Sequence, residues 1–263
     1  MTSTQAPWHV QCDPTNPGQF FACCGLLELA DRLLGSAEGW FEGSCFAINA
    51  PGTLAELVQQ ISQAPLKPLD PDDDTASPMQ IGAPFLLRLD WWHDNATGGA
   101  DLKVWAGSMR SFRIARAMQA ALGKPQLQHP GLLNEGLVVY DVDQPDNKVE
   151  PFYFDARRGL NAHPLDLGFS PDALEMTTVA YPAVELLALV GLQRARPVPT
   201  SQRGAFEYCT WQLPLAPLLV PAAVAGCLPH AGTRRYRFKT VLRTTRKDSY
   251  KSFLPAIALG DRA

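Results

Sequence analysis

The chain has 263 residues, 46% hydrophobic and 19% charged, with a formal net charge of −3. That composition belongs to a globular protein with a well-buried core and excludes a disordered or fibrous chain. No apolar run approaches the roughly eighteen residues of a membrane span, and the six cysteines form neither a CxxC pair nor a zinc spacing with histidine.

Residues 1–10 carry no basic or apolar leader-like stretch, so a cytoplasmic protein with reduced, buried cysteines is expected. Residues 8–12 read as a short strand. The turn cluster Asp13, Pro14, Asn16, Pro17, Gly18 then opens a long helix, with Asn16 as N-cap and Pro17 at its first position. Apolar residues recur at helical spacing from Phe20 to Leu34, and Gly35 stops the helix. Gly25 sits in its middle, where glycine costs roughly 1 kcal/mol relative to alanine. A glycine there lets another backbone come close, so this helix is expected to be the central packing element.

Residues 40–48 read as a strand or hairpin arm with a bulge at Gly43. Residues 53–64 form an amphipathic helix capped by Thr53, with Leu54, Leu57, Val58 and Ile61 in one stripe. Residues 66–78 hold three prolines and four aspartates and read as a mobile, solvated acidic loop without the pattern of an EF-hand. A strand over 84–92 leads to a glycine-rich turn at His93-Asp94, and 102–105 extends or restarts that strand. A helix over 108–122 follows, with Arg110, Arg113 and Arg116 fanned over its polar face. Residues 136–142 and 152–154 look β-rich. A second glycine-bearing helix spans 181–192. Its Ala188, Gly191 and Leu192 echo Ala22, Gly25 and Leu26, a match too short to establish duplication.

Residues 206–213 alternate like a strand, and 215–225 read as a short proline-started helix. Residues 236–244 alternate with period two. Tyr236, Phe238, Thr240 and Leu242 fall on one face, and Arg237, Lys239, Val241 and Arg243 on the other. Basic side chains on one strand face stand roughly 7 Å apart. The expected fold is α+β, with mixed, mainly antiparallel sheet and helices on one side. The chain makes one compact domain, or two intimately packed lobes (1–145 and 146–263).

Charge is distributed unevenly. Residues 232–263 contain nine Lys or Arg against Asp248 and Asp261, so this tail is +7 and the rest of the chain −10. With Tyr236, Phe238, Tyr250 and Phe253 interleaved, the tail is the leading candidate to contact nucleic acid. The candidate contacts are Arg234, Arg235, Arg237, Lys239, Arg243, Arg246 and Lys247, with Arg110, Arg113, Arg116 and Lys103 in second rank. Two alternatives stand beside this: a basic module docking on an acidic partner protein, and a phosphodiesterase built on Asp155, His163 and Asp166. No GxSxG, HExxH or P-loop pattern is present, no cofactor or metal is called for, and no membrane partner is expected.

Several stretches together resemble a known family: NPGQFFACCGLLELADRL (16–33), LDWWHD with LKVWAGSMRSFRIARAMQAAL (89–122), PFYFDARRG with LDLGFSPD (151–172), YPAVELLALVGLQRARP (181–197) and KSFLPAIAL (251–259). They look like the small proteins encoded beside the helicase–nuclease in subtype I-U (I-G) CRISPR–Cas loci. That resemblance implies a non-catalytic subunit or accessory of a crRNA-guided antiviral effector. Its expected partners are crRNA or target DNA and the other effector subunits. Base pairing in such complexes supplies the sequence specificity and protein holds the backbone. The resemblance carries no catalytic motif onto this chain, and it leaves open whether Lys103, Trp105 and Gly107 touch nucleic acid.

Overall fold

A computed structural model describes residues 6–107, 109–159, 179–228, 231–243 and 250–260. Its centre is α1 (Pro17–Leu34), whose first fourteen residues are all buried. The start follows the sequence: the Asn16 side chain accepts from the Gly18 N–H, Pro17 occupies the first turn, and Gly35 ends the helix at φ 78°. β1 (Trp8–Gln11) precedes α1, and the hairpin β2 (Glu38–Glu42)–β3 (Cys45–Asn49) follows it. The three strands pair in the order β1-β3-β2, both outer strands antiparallel to β3. β1 and β2 are therefore parallel and joined through α1, a split βαβ unit. Gly43 lies in the hairpin turn, at φ 61°, rather than in a bulge.

α2 (Leu54–Gln63) opens with a full capping box between Thr53 and Glu56 and buries Leu54, Leu57, Val58 and Ile61. A second sheet holds β4 (Leu66–Pro68), β5 (Met79–Ile81) and β6 (Leu87–Leu89). The expected strand over 84–92 is only β6, because the chain turns into a helical turn at Trp91–His93 that buries both tryptophans. Residues 102–105 form no strand either; Trp105 is 1% exposed and packs edge-on against Trp91 and Trp92. α3 (Ser111–Leu122) then lies across α2 and the next long helix. Residues 136–142 contribute only isolated bridges, at Leu137–Ala180 and Tyr140–Lys148. Residues 152–154 are not a strand, because the N–H groups of Tyr153 and Phe154 turn onto a side chain described below. α4 (Ala156–Gly159) is a single turn.

α5 (Pro182–Gly191) packs on α1 more closely than any other pair of elements. A Cβ on Gly25 would overlap the Leu187 carbonyl, and one on Gly191 would overlap the Phe21 carbonyl. The two glycines thus make a reciprocal backbone contact. Gly18 lies against Val184, and Arg194 reaches Glu28 at 2.6 Å, so the helices run parallel. Of the residues in their sequence echo, Gly25 and Gly191 lie against each other.

The third sheet contains β7 (Val198–Pro199), β8 (Ala205–Thr210), β9 (Arg234–Leu242) and β10 (Lys251–Phe253), in the order β10-β9-β8-β7. β11 (Ile257–Ala258) pairs with β9 beside β10, and α6 (Val220–Val224) sits between β8 and β9 in sequence. All sheet pairings are antiparallel, so the fold is α+β. One hydrophobic cluster runs from Trp8 to Ala256 through both halves of the chain. Among the described residues, no helix is long and apolar enough to cross a membrane.

Candidate nucleic-acid interface

The register of β8 and β9 is set by aromatic pairs. Tyr208 stacks on Tyr236 at 5.5 Å and Phe206 on Phe238 at 5.5 Å, each pair directly opposite across the strands. Below them lie Phe20 and Phe21 of α1, at 4.2 and 5.8 Å from the Tyr208 ring. The Tyr208 hydroxyl donates to the Pro14 carbonyl at 2.6 Å. This inner layer fixes which side chains face out. A strand alternates, so Arg235, Arg237 and Lys239 stand together on the outer face of the sheet. Arg237 and Lys239 are exposed, Arg235 is half-buried, and Arg234 is exposed at the strand's start.

One carboxylate meets this row. Glu207 lies opposite Arg237 and accepts from its Nε at 2.9 Å and Nη2 at 2.5 Å, while Arg235 approaches the second carboxylate oxygen at 3.6 Å. Arg234 and Lys239 form no ion pair among the described residues. Three cations on five residues of the outer face therefore meet a single acid among the described residues, with Arg234 adding its charge at the strand's start.

The sequence also suggested base-stacking aromatics here, and the structure corrects that. Tyr236, Phe238 and Phe253 are 4%, 1% and 0% exposed, because they are the inner face that holds the sheet on α1. Arg243 also leaves the row. β9 ends at Leu242, and the Arg243 guanidinium lies 3.4 Å from the centre of the Tyr153 ring while its Nε donates to the Lys251 carbonyl. Burial pushes its pKa down. Arg246 and Lys247 lie outside the described residues.

The second-rank cations are committed elsewhere. Arg110 pairs with Asp74 at 3.4 Å, Arg113 with Asp141, and Arg116 with Asp143 at 2.6 Å. Asp141 also accepts from the N–H groups of Asp143 and Gln144. Although burial opposes it, these donors and Arg113 hold its carboxyl below the usual range. The acidic stretch expected to be mobile is instead folded onto α3. Trp105 and Trp92 donate their indole N–H groups to the carbonyls of Thr75 and Ala76 at 2.8 and 2.7 Å. The N–H of Ala76 leads the donors that lower the Asp73 pKa. Lys103 lies 5.4 Å from the Trp105 ring, half-buried, and burial lowers its pKa. Trp105 itself is core.

The proposed phosphodiesterase residues do not assemble into a described site. His163 and Asp166 lie outside the described residues. Asp155 is fully buried; Arg157 donates to its two oxygens at 2.9 and 2.6 Å and the Asn16 amide at 2.9 Å. No sequence pattern points to its neighbour Glu185, which is also fully buried. Glu185 accepts from the N–H groups of Tyr153, Phe154 and Asp155 at 3.0–3.2 Å and so holds Tyr153 at φ 78°. Burial first, and the nearby Asp155 second, push its pKa up to about 7 against the pull of those donors. His93-Asp94 is a surface turn, with Asp94 held by Thr97 and Arg196.

Sequence reasoning missed Glu207 as well. Its signal was present: the alternation of 206–213 puts Glu207 opposite in parity to Phe206 and Tyr208, hence on the outer face. No protein-family model, curated protein or solved structure matches this chain.

Proposed function

We propose that this protein is a non-catalytic component of a type I CRISPR–Cas antiviral effector complex, holding a nucleic-acid backbone on the outer face of β8 and β9. The observation that carries the binding reading is the row Arg235, Arg237 and Lys239, with Arg234 at the strand's start, met among the described residues only by Glu207. Assignment to the effector rests on the sequence resemblance of the five blocks. With Tyr236, Phe238 and Phe253 turned inward, the outer face of β9 offers charge and guanidinium donors. Such a face holds phosphates without reading sequence, which suits a complex whose specificity comes from a guide.

Fluorescence anisotropy with single-stranded RNA and DNA across a salt series tests this. Micromolar or tighter binding is expected at low salt. Three neutralised phosphates would give a slope of log K against log salt of about −2 on a single strand. Failure of the wild-type protein to bind either strand at low salt would overturn the reading.

A second reading has one observation of its own. Val198, Glu207, Arg237 and Ile257 align in one cross-strand row, and Val198 and Ile257 are 42% and 63% exposed. A basic row with apolar flanks also suits an acidic protein surface. A pull-down with the other effector subunits separates the two. Capture lost on Ile257→Ser while RNA affinity stays unchanged would favour protein docking at this row.

A further inference from the structure

The outer face of β9 runs out beside a cavity of 460 Å³ at the end of the sheet where the β7–β8 turn meets the last residues of β9 and Lys251 of β10. Its walls divide by chemistry. Pro199 and Leu242, the latter 59% exposed, supply an apolar side. Thr200 and Thr240 supply hydroxyls, Arg203 and Lys251 supply two cations, and Asp101 supplies one acid. The volume falls in the range of roughly 300–1,000 Å³ typical of small-ligand sites.

Neither cation forms an ion pair among the described residues. Arg203 is exposed and forms no ion pair among the described residues. Lys251 donates its ammonium to a backbone carbonyl, that of Asp101 at 3.0 Å, and has no carboxylate in contact. Burial pushes the Lys251 pKa down and the charge of Arg203 adds to that push, against the pull of Asp101. Two like charges therefore share the pocket with one acid, Asp101, and neither forms an ion pair with it among the described residues, which leaves the lining with one net positive charge. A bound phosphate would relieve both. The cavity also adjoins the phosphate row, since its Ala205 lies directly opposite Lys239 in the β8–β9 pairing.

We propose that this cavity takes one nucleotide unit of the strand held on β9, its phosphate between Arg203 and Lys251 and its sugar and base against Pro199 and Leu242. The proposal rests on the nucleic-acid reading above and adds a place where the strand meets an apolar wall. It makes no use of base identity, as neither Pro199 nor Leu242 can read a hydrogen-bonding edge.

The test uses the full chain, a 20-nucleotide single-stranded RNA, and AMP with adenosine as its control. The cavity variant is Arg203→Ala with Lys251→Met, which keeps the lysine stem and the backbone pairing of β10. Arg203→Glu alone is a second variant, since an exposed, unpaired arginine can be replaced without disturbing the fold. RNA affinity is expected to fall at least fivefold in both, and AMP but not adenosine is expected to compete with RNA for the wild type. The face variant, Arg235, Arg237 and Lys239 changed to Glu, is expected to bind AMP as the wild type does. RNA affinity within twofold of wild type in both cavity variants would overturn the cavity proposal. If the face variant still lost RNA, the interface on β9 would stand without it. Absence of wild-type RNA binding would overturn the function reading. In that event AMP binding lost in both cavity variants would still support the nucleotide site, and absence of AMP binding would overturn that too.

Discussion

Two rows of basic side chains look alike in the sequence and end differently in the fold. Arg110, Arg113 and Arg116 recur every third residue along one face of α3, and Arg235, Arg237 and Lys239 every second residue along one face of β9. The helix row meets Asp74, Asp141 and Asp143, one carboxylate for each guanidinium. Among the described residues the strand row meets Glu207 alone. The difference lies in what the rest of the chain brings opposite. Two acidic segments bring aspartates onto the arginines of α3, whereas among the described residues only Glu207 of the neighbouring strand pairs with the outer face of β9. A cationic pattern within one element therefore does not define a cationic surface. The surface is the residue left after distant segments have paired.

The comparison breaks if both rows behave alike toward nucleic acid. Changing Arg235, Arg237 and Lys239 together to Glu is expected to weaken single-stranded RNA binding by at least a hundredfold at low salt, read by anisotropy. Three contacts are removed and three repulsions created in their place. Changing Arg110 and Arg116 to Ala is expected to alter affinity by less than threefold. A comparable loss from both would put the strand across α3 and return those arginines to the interface.

Stability should rank the rows in the opposite order. Arg113→Ala leaves the buried Asp141 carboxylate with two backbone donors and no cation, and is expected to cost about 1.5 kcal/mol in urea unfolding. Arg237→Ala removes an exposed partner from Glu207 and should cost under about 0.5 kcal/mol. Equal losses would mean that Asp141 is less dependent on Arg113 than its burial indicates.

A third carboxylate setting shows what either row would be without its cations. Glu185 faces three N–H groups and the Asp155 carboxylate, with Arg157 bound on Asp155 instead. Its pKa of about 7 in the fold lies above that of an exposed glutamate, so the folded state holds the proton more tightly than the unfolded chain. The contribution is therefore complete below pH 4 or so and is lost as pH rises through 7. Between pH 6 and pH 8 stability is expected to fall by about 1 kcal/mol on this account. Glu185→Gln should flatten that slope in denaturant melts. A slope unchanged by the substitution would assign the pH dependence to another group.

Much of the fold was legible because it is written locally. Asn16, Pro17 and Gly35 bound α1, Thr53 caps α2, and the Tyr236–Phe238 alternation sets the faces of β9. Gly25 announced a close neighbour, though only the structure names Gly191. What failed was written at a distance. Residues 152–154 are rich in β-formers, yet Glu185, some thirty residues on, takes the N–H groups of Tyr153, Phe154 and the following Asp155. The acidic loop looked free because the indoles of Trp92 and Trp105 that pin it lie beyond it in sequence. In the site, Arg237 and Lys239 were readable from parity alone. The loss of Arg243 to Tyr153 and of the α3 arginines to their aspartates was not, since each partner comes from another segment.

Glu207→Gln sharpens the comparison from the other side. The carboxylate is the only acid among the described residues that pairs with the β9 row, and it lies against the two central guanidinium groups. If the row binds phosphates, Glu207 competes with them, and its removal adds one net positive charge to the face. RNA affinity should then rise by about threefold at low salt, with the gain shrinking as salt screens the face. The gain is smaller than the full charge change implies, because Glu207 also holds Arg237 in place at 2.5 Å and a freed side chain loses that order. If the row instead docks an acidic protein surface through paired geometry, the same substitution tightens capture of that partner and leaves RNA binding as it was. The isosteric amide keeps the shape of the face, so the sign of the change in RNA affinity reports charge alone.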